Sequence, residues 1–277
     1  MSTATTATTA ARLTPGTLAR TRALTRMEIT LLGRNKTTLF NAIALAPLMV
    51  LLLMGVIGDR TDGAGAGVFS GTLLTTLVAF GLLFVAYYNL TTTAVARREE
   101  LTLKRLTSGT SSRLEVLVAM SMPALIIVLA QAVLGLAAAV GVIEVPPLTN
   151  PILVVLALGL GFAMFAGLGY ASSGLTKTVE AAQLTTLPVL MVTMLFSGLT
   201  LPLSLLPEPA QVIAEATPLF PVVTLLNLGL TGVTPDGDQV AFAGSFAEAV
   251  VPLIVLIAWT ALGVLATRRW MRWEPRR

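Results

Sequence analysis

The chain has 277 residues, 55% of them hydrophobic and only 12% charged, and its mean hydropathy is +0.85. These values place it in the membrane class and leave no stretch for a soluble domain of ordinary size. With no Cys and no His, disulfides, thiol or imidazole chemistry and the usual zinc and haem ligands are excluded; the net charge of +4 has no soluble basic domain in which to bind nucleic acid.

In chain order, residues 1–16 are rich in Thr and Ala and are expected to form a disordered tail. Residues 17–36 read as an amphipathic interfacial helix, with Leu24, Met27 and Leu31 on one face and Arg22 and Arg26 opposite. Six apolar runs follow at about 39–58, 68–95, 114–143, 151–175, 181–201 and 247–267, each near the roughly 20 residues that a membrane-spanning helix needs. The predicted fold is therefore an all-α integral membrane protein with a six-span region over 37–267. A basic tail follows at 268–277.

Small residues at Gly159, Gly161, Gly167 and Gly169 predict close helix packing. The stretch 202–231 carries prolines at 202, 207, 209, 218 and 221, and its longest apolar run is too short to span. It is expected to form a helical hairpin re-entering the outer side. Counted on six spans, every basic residue except Arg60 falls on one side, which predicts cytoplasmic N- and C-termini by the positive-inside rule.

The charge concentrates in "ARREELTLKRLTSGTSSRLE", residues 96–115. The spacing predicts a short helix over 97–108, with Glu100 and Lys104 four apart in the favourable order for an ion pair. Leu103 and Leu106 share its membrane-facing side. Gly109 is a helix stop, and Ser112 with Glu115 makes a capping box for the next span. A topology signal needs only Arg and Lys, so Glu99 and Glu100 point to a helix that docks another protein.

That stretch resembles the region after the second span of type-2 ABC exporter permeases, in which Glu99, Glu100, Thr102, Leu103 and Leu106 match. The later "LPLSLLPEPAQVIAEATPLFPVV" resembles the same family's proline-marked outer segment, and the layout is nearest to the half-size bacterial permeases of the daunorubicin-exporter kind. Two positions depart: 101 is Leu where many members carry Gly, and 209 is Pro where an aromatic is common.

The resemblance implies an exporter permease in the bacterial cytoplasmic membrane. It would pair with a second copy or a homologue and work with two cytoplasmic ATPase subunits, in contact with membrane lipid. Glu99, Glu100, Thr102, Leu103, Lys104, Arg105 and Leu106 would form the coupling helix. ATP and Mg would be bound by the partner; no phosphate-loop motif occurs here, and no cofactor, metal or catalytic residue is expected in this chain. In the family the second and fifth spans line the central cavity. This implies Phe80, Phe84, Tyr87, Tyr88 and Asn89 from the second, and Thr185, Met191, Met194 and Phe196 from the fifth. An amphipathic or lipid-like substrate suits such a surface.

Two rivals weigh less. A secondary carrier or channel would want a midplane carboxylate or an internal repeat. An intramembrane enzyme would have to use Lys177 beside Ser172 and Ser173, which reads as a loop boundary.

Overall fold

The computed structural model describes residues 15–34, isolated positions between 36 and 52, and residues 65–108, 112–200 and 207–274. Most of the predicted first span, nearly all of the predicted N-terminal tail and Gly109 lie outside the described residues. Within them, nine helices form: α1 (Pro15–Arg34), α2 (Ala66–Glu99), α3 (Thr102–Ser108), α4 (Arg113–Val142), α5 (Pro151–Leu175), α6 (Val179–Leu195), α7 (Glu208–Glu215), α8 (Phe220–Leu230) and α9 (Phe242–Trp270). No strand is present among these residues. Helices α2, α4, α5 and α9 are long and apolar enough to cross a membrane; a fifth crosses if α7 and α8, bent by 79°, count as one.

Local signals set several of these ends. The Ser112 side chain accepts from the Glu115 amide at 3.2 Å while Glu115 Oε2 accepts from the Ser112 amide at 2.6 Å, so the capping box opens α4. Asn150 accepts from the amides of Ile152 and Leu153, with Pro151 at the first helical position. Helix α6 stops six residues short of the predicted 201. There the chain turns through Gly198 at φ 76, and Ser197 Oγ donates to the Met194 carbonyl while accepting from the Leu199 amide.

Helices α5 and α9 run parallel and in close contact. A Cβ on Gly167 would lie 2.9 Å from the Gly263 carbonyl carbon, so neither side chain can grow. Thr267 donates to the Gly167 carbonyl at 2.8 Å and Thr260 to that of Leu160 at 3.3 Å. Asn150 Nδ2 donates to Ser245 Oγ at 2.9 Å, joining the first turns of both helices. Gly161 and Gly169 also meet neighbouring atoms closely, whereas Gly159 faces open space and is not a packing glycine.

The core lies around α2, whose middle, Leu82–Asn89, is wound as a π-helix. The wider winding buries Leu82, Leu83, Val85, Ala86 and Tyr87 together. Of the predicted 202–231 hairpin, 202–206 lie outside the described residues; the rest holds α7 and α8, and α8 is buried along almost its whole length. Its C-terminal carbonyls, at Gly229 and Leu230, accept from the amides of Asn150 and Leu148 at 2.8 Å. At its other end Thr217 donates to the Phe196 carbonyl, where α6 stops. Eleven residues make α8 about 16 Å long against about 37 Å for the 25 residues of α5. It therefore enters the bundle about halfway.

Candidate functional site

The described basic residues gather at one end of the bundle, where α2, α5 and α9 finish and α1, α3 and α4 begin or lie. Helix α2 runs on to Glu99 before breaking. The Glu100 amide donates to Ala96 and the Leu101 amide to Arg98, and Leu101 takes φ 58. The predicted helix 97–108 is thus two pieces, the end of α2 and the separate α3. Across that break Glu100 and Lys104 no longer stand one helical turn apart. Lys104 Nζ instead pairs with Glu274 Oε1 of the C-terminal tail at 3.1 Å, and Thr102 Oγ1 donates to Glu100 Oε2 at 3.5 Å.

Leu103 is wholly buried and Leu106 packs partly against the same core. Thr102 is half-buried, while Glu99, Glu100, Lys104 and Arg105 are exposed. So α3 is held to the bundle by its leucines and presents its charges outward. The tail adds a further contact, with the Arg113 guanidinium 5.5 Å from the Trp273 ring centre.

Two neighbouring arginines do different work here, and sequence reasoning treated both as topology signals. Arg98 is 1% exposed and inserts its guanidinium under the end of α5. It donates to the carbonyls of Ser173 at 2.7 Å, Thr176 at 2.5 Å and Lys177 at 3.2 Å. Such carbonyls at a helix C-terminus have no intrahelical partner and carry partial negative charge, which a buried cation satisfies. Arg97 turns the other way and pairs with Glu28 of α1 at 2.7 Å.

A second pair, Arg20 to Glu115 at 3.2 Å, joins α1 to the first turn of α4. Burial pushes the Glu28 carboxyl above the usual range, and the nearby Arg97 charge opposes that shift. The inward side of α1 carries Leu24, Glu28 and Leu32, while Met27 and Leu31 of the predicted apolar face stay largely exposed. No amphipathic pattern reveals a buried Glu. Only its four-residue spacing from Leu24 and Leu32 could have suggested it.

The residues implied as cavity-lining divide. Phe80 and Tyr87 are fully buried against the chain's own helices. Phe80 stacks on Phe84 with ring centres 6.0 Å apart, and Tyr87 packs 6.5 Å from Phe165 while its hydroxyl meets Ser172 Oγ at 3.1 Å. Phe84, Tyr88, Asn89, Thr185, Met194 and Phe196 are half-buried, and Met191 is 52% exposed. The second half of α2 packs beside α6, and Met194 touches the cluster formed by Leu77 and Phe80. Asn89 also lines a separate cavity of about 880 Å³ between α1, α2 and α4.

A bundle of long apolar helices with its cations drawn to one end is a multi-pass membrane protein. The family model described as ABC-2 type transporter matches residues 19–230, well over half the chain. The chain belongs to the ABC-2 type transporter family and is a permease component of an ABC transporter. No curated protein matches it.

Proposed function

We propose that this chain is the membrane subunit of an ATP-driven exporter of the daunorubicin-exporter kind, in the bacterial cytoplasmic membrane. It moves a small amphipathic or lipid-like solute with energy from two separate ATPase subunits, which bind the ATP and Mg. It spans the membrane six times, counting the predicted 39–58, with both termini in the cytoplasm, and it pairs with a second copy or a homologue. One observation carries the reading: α3 is fixed to the bundle by the buried Leu103, and together with the end of α2 it offers Glu99, Glu100, Lys104 and Arg105 to whatever lies beyond.

This arrangement suits transmission of force. A partner pressing on α3 moves the end of α2 and the start of α4, because α3 packs on both. Through Arg98 the same displacement reaches the turn between α5 and α6. The solute surface is then formed by the residues of α2 and α6 that remain open: Phe84, Tyr88, Asn89, Thr185, Met191, Met194 and Phe196.

The test is Glu99→Gln with Glu100→Gln, which removes two acids and leaves every cation in place. Membrane insertion should be unchanged. Retention of the ATPase on the purified complex should fall about tenfold or more if these acids form buried charge pairs with the partner, and transport should be lost. Full transport with unchanged ATPase retention would reduce the segment to a topology loop. A functional particle containing no ATPase would favour the carrier reading.

A further inference from the structure

From the cavity between α1, α2 and α4, we infer that the protein holds one anionic phospholipid, taken from the leaflet at the charged end, as a resident ligand. The cavity measures about 880 Å³ and is lined by the charged residues Glu28, Arg34, Lys36, Arg97 and Glu100, by Asn89 on α2 and by Ile127 on α4. That volume is in the class of pockets that enclose a drug-sized ligand. It takes a headgroup, a glycerol and the upper part of an acyl chain.

Its lining divides by chemistry. Leu32, Met120, Pro123 and Ile127 give an apolar floor, and Asn89, Thr92 and Thr93 a polar wall. Of the lining charges, Arg97 is already neutralised by Glu28, which leaves Arg34 and Lys36 against one further carboxylate, Glu100. Neither Arg34 nor Lys36 forms an ion pair among the described residues. An ester phosphate at the two cations with its acyl chain on that floor satisfies every zone. A free phosphate leaves the floor empty, and an uncharged lipid leaves the two cations unanswered. The bound lipid would brace α1 against α2 and α4 beside the two ion pairs that already hold it.

The inference rests on the membrane placement proposed above, not on what is transported. The full-length protein, purified in a neutral detergent, is titrated with phosphatidylglycerol, phosphatidylcholine or glycerol 3-phosphate while its thermal unfolding midpoint is followed. Phosphatidylglycerol should raise the midpoint at the lowest concentration, and glycerol 3-phosphate should have no effect. Arg34→Gln with Lys36→Gln should raise the phosphatidylglycerol concentration needed by roughly twenty-five-fold, about fivefold per cation, and leave the phosphatidylcholine curve in place. Thr93→Phe, which narrows the slot without touching charge, should weaken the response to both lipids. Equal responses to both lipids in the unaltered protein, an unshifted curve in the double variant, or an equal response to glycerol 3-phosphate would each overturn the inference. Failure of the membrane placement would look different: the unaltered protein would not insert into vesicles of any composition.

Discussion

Helices α2 and α6 stand side by side and have similar apolar sequences, yet the bundle treats them oppositely. Helix α2 is enclosed: Phe80, Leu82, Leu83 and Tyr87 have no exposed surface, and its end is gripped by Arg97 and Arg98. Helix α6 buries only Ala182, Thr186 and Thr193 and leaves Leu184 77% exposed, with Leu187, Met191, Val192 and Leu195 open as well. Both would be read as cavity walls on composition alone. The difference shows that α2 is mainly internal scaffold of the bundle, whereas α6 leaves an apolar face open.

The sharpest way to break that contrast is to truncate one aromatic on α2 and one thioether on α6. Phe80→Ala removes a fully buried ring between Leu77, Phe84 and Met194 and should cost about 3–5 kcal/mol, the usual range for a core Phe. Met191→Ala, at 52% exposure, should change stability by about 0.5 kcal/mol or less. Denaturant unfolding of the detergent-solubilised protein measures both. Equal costs would mean that α6 is also an internal helix of the protomer.

Next in size is the grip on the end of α2. Arg98→Met keeps the stem and removes the guanidinium, leaving the Ser173, Thr176 and Lys177 carbonyls without that donor. Loss of charged hydrogen bonds at a buried site should cost about 2–3 kcal/mol. Arg98→Lys should recover part of this, because one ammonium nitrogen cannot occupy both positions from which Nη1 and Nη2 reach these carbonyls. The turn between α5 and α6 should loosen too, and trypsin should then cut after Lys177 in Arg98→Met faster than in the unaltered protein. Unchanged cleavage would show that Arg98 does not hold that turn.

What could be read in the sequence follows from the range of each signal. The α5 bounds, 151–175, and the capping box at Ser112 and Glu115 were legible because Asn150, Pro151, Ser and Glu act within four residues. The buried side of α2 was not. The helix is apolar all round, so no stripe marks which aromatics turn inward. Arg98 was equally hidden: its partners are carbonyls some 75 residues away, and a carbonyl has no residue type. The break after Glu99 lay between strong helix formers, which is why one helix over 97–108 was expected. Its only trace was the departure at position 101, Leu where many relatives of the type it resembles carry Gly.

That position offers the smallest effect and a direct comparison of two helix ends. Just past the end of α6, Gly198 takes φ 76; just past the end of α2, Leu101 takes φ 58. Both lie in the left-handed region, which a Cβ makes unfavourable by about 1–2 kcal/mol, and helices commonly close with Gly there. Leu101 is substantially exposed, so its side chain recovers little of that cost by packing. Leu101→Gly should remove the strain while adding about 0.5–1 kcal/mol of unfolded-state entropy. The net expectation is a gain of about 0.5–1 kcal/mol. Gly198→Ala, the reverse change at the other end, should lose about 1 kcal/mol. Matched thermal melts of the two variants decide it. If Leu101→Gly melts lower, the exposed leucine contributes an interaction stronger than the strain, with the membrane surface or a partner. α3 would then owe its position to that contact as well as to Leu103.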